Sequence, residues 1–444
     1  MATQTSTSLE NRDTAAYTRS FGVVSKGSKG VFPGAANVIQ HQVDRPPIGV
    51  KTFPYMVNSE GTPALGVPIR FRLPKRNFIP NQSAYIRLTF DSVPVVAGGA
   101  TQVANYVQGY NMINTGSNAI QLLYSQNPIA TLKPEQVMYE TKFFQTQQEK
   151  YLTQKLGNEG LRATQVANAA VAGKAVYIPL LEFLSDNIQL PLSAYPADFY
   201  LEVTLDRLNR LVQGDDAANT LTNTDGLKTA ELIIHGTDVP LQAATESIFK
   251  IASGLEYYTH NVTSVTKTLT GNATAKQFTF TFDNIKGSVS NIVFYFLDNA
   301  AFISTTAGIL NKELFSTDTQ LKLSDANVQL GTSIEPNLYT GRNQYLEMIR
   351  YKSSARESGC LYSTYDDAAK PQDVPIYTMS FSQFEQFDIS SGQSSGSVRF
   401  DGTEQIVFNF ETPPTAFTNR LVMLIYRPSA QMIKGNKIGK RDVK

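Results

Sequence analysis

AVYIPLLEFLSDNIQLPLSAYPADFYLEVTLDR, residues 175–207, decides the fold class. Its last part alternates: Phe199, Leu201, Val203 and Leu205 share one face, while Tyr200, Glu202, Thr204 and Asp206 share the other. A period of two over that length predicts a strand with one buried and one wet face. Before it, Val176-Tyr177-Ile178-Pro179-Leu180 is a second β-prone run. A polar turn, Ser185-Asp186-Asn187, and then Leu190-Pro191-Leu192 join the two.

Working outward, the same grammar recurs. Val67, Ile69, Phe71 and Leu73 alternate, 76–82 reads as a turn after them, and 85–93 and 116–124 read as strands. Residues 95–115, with Gly98-Gly99 and several Asn, predict a long loop, as do 213–226. Pro134 opens a helical stripe of Val137, Phe144 and Tyr151 that Gly157 ends. Its many charges fit a helix packed on a sheet rather than in a membrane.

Residues 241–253 predict a short amphipathic helix closed by Gly254, the linker between two halves. Beyond it, Phe278, Phe280 and Phe282 alternate, and 290–297 is a nearly continuous apolar strand. Residues 300–343 look irregular, and 344–351 read as a short helix. Strands are then expected over 375–384, 404–410 and 419–426. Residues 1–45 lack any sustained period and read as an arm, and 429–444 read as a basic tail.

The halves echo each other. Thr89-Phe90-Asp91 resembles Thr281-Phe282-Asp283, Gly116-Ser117 resembles Gly287-Ser288, Val176-Tyr177 resembles Ile376-Tyr377, and each half ends in an alternating aromatic strand, 199–205 and 406–410. Self-similarity at this long period means two copies of one domain rather than a solenoid. Short strands joined by long polar loops suit a jelly roll better than a tight meander. The expected fold class is all-β: two tandem eight-stranded jelly rolls with a few short flanking helices. The boundaries are an arm over 1–45, a first roll over 46–235, a linker over 236–254, a second roll over 255–428 and a tail over 429–444.

Composition bounds the function. The 444 residues carry a formal net charge of +1, so nucleic-acid binding through overall charge is not indicated. With 25 Phe and 21 Tyr against no Trp, the aromatics favour strands over helices. Cys360 is the single cysteine, which excludes an intramolecular disulfide and fits a reducing compartment. The polar first residues lack the apolar core of a signal peptide, and no apolar run approaches the roughly 18 residues of a bilayer span. The sequons at Asn81, Asn261 and Asn272 therefore read as chance.

Catalytic chemistry finds little support. Gly392-Gln393-Ser394-Ser395-Gly396 has nucleophile-elbow spacing, but His41, His235 and His260 all lie upstream of it, and its surroundings are turn chemistry. Three scattered histidines and one cysteine supply no soft-metal cluster. Asp215-Asp216 and Asp366-Asp367 are acidic pairs in polar loops, which solvent ordinarily satisfies. No catalytic, cofactor-binding or metal-ligating residue is assigned.

Tyr177-Ile178-Pro179-Leu180, then Phe183, then Leu190-Pro191-Leu192 with Ala194-Tyr195 resembles the first-half signature of double jelly-roll major capsid proteins. That lineage includes large DNA viruses, adenovirus-like hexons and tailless lipid-containing phages. The second half is similar to it in Ser395-Gly396-Ser397, Phe400-Asp401 and Leu421-Val422-Met423-Leu424-Ile425-Tyr426. The resemblance spans roughly residues 46–437. It implies a homotrimer whose six sandwiches form a pseudo-hexameric tile of an icosahedral virion shell. Neighbouring capsomers and minor capsid or penton proteins would be partners, with an internal lipid membrane beneath and no sequence-specific nucleic-acid binding. Synthesis would be in the host cytoplasm. The arm and the basic residues Lys434, Lys437, Lys440, Arg441 and Lys444 would face the membrane or the interior. Two other readings are a carbohydrate- or receptor-binding double sandwich, as in a spike or adhesin, and a hydrolase built on the loop carboxylates Asp215 and Asp366.

Overall fold

The computed structural model describes residues 51–80, 84–91, 96–97, 104–106, 109–114, 119–137, 175–181, 183–214, 220–221, 226–272, 277–298, 323–330, 333–339, 376–381, 397–410 and 416–442. The first half contributes eight principal strands. They are β1 (Lys51–Asn58), β2 (Pro68–Arg72), β3 (Ala84–Phe90), β4 (Ile120–Tyr124), β5 (Asn127–Leu132), β6 (Ala175–Leu181), β7 (Phe199–Thr204) and β8 (Leu227–Asp238). One sheet runs β1-β8-β3-β6 and the other β2-β7-β4-β5, with every pairing antiparallel. Apart from the β4–β5 hairpin, neighbours in each sheet are distant in sequence, which is the wrapped order of a jelly roll.

The second half repeats the plan. Its strands are β9 (Leu255–Asn272), β10 (Gln277–Thr281), β11 (Asn291–Asp298), β12 (Leu323–Leu330), β13 (Ser333–Tyr339), β14 (Ile376–Ser380), β15 (Gln405–Phe410) and β16 (Ala416–Lys434). The sheets run β9-β16-β11-β14 and β10-β15-β12-β13. Position for position this is the order of the first half, so the chain is a double jelly roll. A final strand, β17 (Lys437–Asp442), folds back on β16.

Alternation builds each core. In β3, AYIRLTF, Ala84, Ile86, Leu88 and Phe90 are buried, and in β7 Phe199, Leu201 and Val203 are buried while Tyr200, Glu202 and Thr204 are half-exposed. Ile86, Leu88, Leu232 and Ile178 from one sheet meet Phe71, Leu122, Leu201 and Val203 from the other. In the second sandwich Phe294, Phe296, Met423 and Ile425 meet Phe280, Ile406 and Phe408.

Among the described residues, α1 (Phe183–Asn187), α2 (Leu208–Leu211) and α3 (Leu241–Ser253) flank the sheets. Linker helix α3 spans the residues expected of it, with Gly254 at its C-cap at φ 95°. The expected turn at Ser185-Asp186-Asn187 lies inside α1, where Phe183 and Leu184 are buried.

Other expectations need correction. The stretch 300–343, expected to be irregular, contains β12 and β13. In β12, LSDANVQL, Ala326 and Val328 belong to the core and Leu330 packs against it, but Ser324-Asp325 and Asn327 hide the strand pattern in the sequence. The tail expected from 429 is strand: β16 continues to Lys434, and β17 pairs back along it from Lys434↔Lys437 to Ser429↔Asp442. Buried Ser429 and Gln431 hide the period there. Residues 236–238, placed in the linker, complete β8. The turn expected over 76–82 includes a short strand, Phe78–Pro80, paired to β8. Residues expected as long loops include two short ribbons, Val96–Ala97 with Thr220–Leu221 and Ala104–Tyr106 with Val212–Gly214. Of the helix expected from Pro134, one turn over 134–137 is described. The arm, the helix over 344–351, Cys360, the Gly392–Gly396 spacing and both acidic pairs lie outside the described residues.

Candidate assembly interface

The signature residues are core. Ile178, Pro179, Leu180, Leu190, Pro191 and Leu192 are all buried, and Tyr177 is half-buried on β6. Pro179 is tolerated because β6 is the edge of its sheet, pairing only with β3. The register slips between Ala84↔Leu181 and Tyr85↔Pro179, and Leu181 takes φ 51°. This bulge ends the strand and turns the chain into α1. Leu190 and Leu192 then fill the end of the first core. The Ser193 N–H donates to the Arg76 carbonyl at 2.8 Å, and the Ser193 hydroxyl lies 2.6 Å from Asn77 Oδ1. Tyr195 packs edge-on against Phe199 with ring centroids 4.7 Å apart. The motif therefore specifies how the crossover between β6 and β7 packs.

The basic residues divide. Lys434 and Lys437 are exposed at the tip of the β16–β17 hairpin, where Gly435 at φ 57° makes the turn. The Gly435 N–H donates to the Ile251 carbonyl at 3.2 Å, fixing that tip to the end of α3. Lys440 and Arg441 are placed in β17 by backbone, opposite Gln431 and Ala430. Lys444 lies outside the described residues.

The sequence did not signal how the two sandwiches join. On β11 and β16, Ile292, Phe294, Met423 and Ile425 point into the second core. Val293, Tyr295, Val422, Leu424 and Tyr426 point the other way and pack into the first sandwich's core cluster. Tyr295 donates its hydroxyl to the Glu135 carbonyl at 3.0 Å, and Arg420 pairs with the Glu135 carboxylate. That carboxylate side chain is 1% exposed and its arginine partner 12%. Burial raises the Glu135 carboxyl above its ordinary range, although Arg420 pulls it down. Burial likewise drives the Tyr295 phenol well up. Gln431 Nε2 donates to the Asn187 carbonyl at 3.3 Å, and Ile438 of β17 packs on the first core. A run of alternate buried residues in a strand flags one packed face. Here both faces of β11 and β16 are packed, and the continuous apolar run at 292–297 was the available signal.

The equivalent face of the first sandwich is built from matching strands. Across β1, β8, β3 and β6 the register aligns Met56, Ile233, Tyr85 and Pro179 in one row. The next row holds Asn58, Glu231, Arg87 and Tyr177, with Arg87 paired to Glu231. Met56 is 55% exposed. Ile233 and Tyr85 beside it are partly exposed, and Pro179 at the edge is buried.

No family model matches the chain, and no curated protein matches it. Solved structures do. The capsid of the virus PBCV-1 is similar over 90% of this chain and 98% of its own, at 12% identity and a TM-score of 0.62. A chain from the structure of the Sputnik virophage is similar over 88% of each, at 11% identity and TM-score 0.58. The Faustovirus major capsid protein is similar over 97% of this chain and 98% of its own, at 10% identity and TM-score 0.57. What the chain shares with these proteins is the fold, two tandem jelly rolls spanning nearly the whole of each.

Proposed function

We propose that this chain is the major capsid protein of a virus, a non-enzymatic subunit that self-associates as a homotrimer. The observation that carries the reading is a mismatch between two equivalent faces. In the second sandwich the outer face of β11 and β16 is buried by the first sandwich of the same chain. In the first sandwich the matching face carries the row of Met56, Ile233 and Tyr85, with Met56 exposed and the other two partly exposed. The occupant with the right shape is the second sandwich of another copy, repeating the junction inside the chain. That contact is heterologous, and repeating it closes a ring of alternating first and second sandwiches. Three copies give six sandwiches, a pseudo-hexameric tile.

Such tiles would meet neighbouring capsomers side by side in an icosahedral shell, with minor capsid or penton proteins at its special positions and an internal membrane beneath. Synthesis in the host cytoplasm and residence in the virion follow from the same reading. The fold shared with the PBCV-1 capsid and the Faustovirus major capsid protein supports it.

Light scattering on the purified chain tests the trimer. The expected mass is three times the 48.9 kDa of one chain. Met56→Asp and Ile233→Asp place a charge in the proposed seam and should shift the population to folded monomer, with circular dichroism unchanged. A wild-type chain that stays monomeric or dimeric at micromolar concentration overturns the reading.

A further inference from the structure

The linker helix α3 presents an apolar surface outward as well as inward. Ala244, Ser247 and Ile251 are buried beneath it. On its other side Leu241 is 72% exposed, Phe249 70% and Ile248 47%. At 3.6 residues per turn, Leu241, Thr245, Ile248, Phe249 and Ala252 fall within an arc of about 100° that holds no charge. Even the one hydroxyl in that arc is satisfied internally, since Thr245 donates to the Leu241 carbonyl at 2.9 Å. The charged residues Glu246 and Lys250 both lie to one side of the arc and are half-buried. Exposed Lys434 and Lys437 stand beside the helix C-terminus, held there by the Gly435–Ile251 hydrogen bond.

Topology sets this surface at one end of the molecule. Lys51 pairs with Asp238 at the foot of the first sheet, and α3 begins three residues later. α3 then leads directly into β9, and β16 and β17 turn at the same end, opposite Leu255. The result is an uncharged apolar helix face beside exposed lysines. It has the form of an interfacial helix, with apolar side chains entering the acyl boundary and ammonium groups meeting phosphates.

We propose that α3 with the β16–β17 hairpin is a lipid-docking surface for an anionic bilayer. The idea rests on the shell reading only in supplying a membrane at that end of the tile. Leu241, Ile248 and Phe249 enter the headgroup region, and Lys434 and Lys437 engage lipid phosphates.

The chain has no tryptophan, so Phe249→Trp creates a single reporter. Adding vesicles of phosphatidylcholine with phosphatidylserine should shift its emission to the blue, and brominated lipid should quench it. Val67→Trp lies beyond the far end of β1 on an exposed residue and should do neither. In co-sedimentation with the same vesicles, Leu241→Ser with Phe249→Ser should bind roughly tenfold more weakly or worse. Lys434→Glu with Lys437→Glu should remove the preference for phosphatidylserine. Light scattering on each variant reports the oligomer separately. If the Phe249→Trp variant is trimeric and its emission ignores vesicles, the docking surface alone is sunk, whereas a monomeric parent chain sinks the shell reading. Equal binding by the Leu241/Phe249 double variant and the parent also overturns the proposal.

Discussion

Gly236 sits inside β8, between Phe53 on one side and Pro80 on the other. A Cβ there would lie 2.3 Å from Phe78 Cζ and 2.4 Å from the Ile79 carbonyl oxygen. Backbone approaches backbone at this position, and only glycine leaves room. The expected boundary of the first roll falls one residue before it, at 235. Gly236→Ala should cost about 1–3 kcal/mol or more, read as a lower urea midpoint at unchanged slope. Glu135 gives a second test, with a pH sign. Burial holds its folded pKa above the unfolded carboxylate value of about 4.3. The folded state therefore binds this proton more tightly than the unfolded one. The group's contribution to stability is fully present below the unfolded pKa and is lost as pH rises through the raised value. Subtracting Glu135→Gln from the wild type isolates it from other titrations. The difference should move against the wild type as pH climbs out of the carboxylate range, and a flat difference in thermal midpoint would contradict the assignment.

Among elements, legibility follows contrast between the two faces of a strand. β3, β7 and β15 each bury one face and wet the other to some degree, and each is readable. β12 has few apolar residues and reads as loop. β16 runs from Ala416 to Lys434, yet only 419–426 reads as strand. Pro428 interrupts the pattern there. It lies between the last residue paired to β11, Tyr426, and the first paired to β17, Ser429. On that side the strand has no ladder bond for a proline to break. The internal echo is half right for the same reason. Val176 with Ile376, and 199–205 with 406–410, fall on equivalent strands, β6 with β14 and β7 with β15. Thr89-Phe90 with Thr281-Phe282 matches β3 to the end of β10, and Gly116-Ser117 with Gly287-Ser288 matches the approach to β4 with the approach to β11. Strand-then-turn cues are generic, whereas the true spacing is steadier: β1 and β9 start 204 residues apart (255 − 51), and β7 and β15 start 206 apart (405 − 199). At this scale β17 yields a prediction. Ending the chain after Lys434 removes its ladder on β16 and the Ile438 contact with the first core. The melting temperature should fall by roughly 2–8 °C with the fold retained, and no change would mean that the hairpin is mechanically idle.

The molecule as a whole shares one core across two copies of a fold. Seven side chains of the second sandwich, Leu255, Val293, Tyr295, Val422, Leu424, Tyr426 and Ile433, belong to the first sandwich's cluster. Burying each stabilises by about 1.5–3 kcal/mol, so the shared face is worth on the order of 10 kcal/mol before the cost of ordering. Few of these residues announce that role: in the sequence most of them are half of two very apolar strands, and which apolar face looks outward is decided by register. Two sandwiches tied this tightly should melt together, in one calorimetric transition rather than two. They should also fail apart. Expressed alone, residues 255–444 would present that apolar face and the buried Arg420 without Glu135, and should be insoluble. Co-expression with residues 1–254 should restore solubility by re-covering the face. A second sandwich that is soluble and monomeric by itself would show that its outer face tolerates water. The matching face in the first sandwich would then have no reason to recruit another copy, and the ring would lose its driving contact.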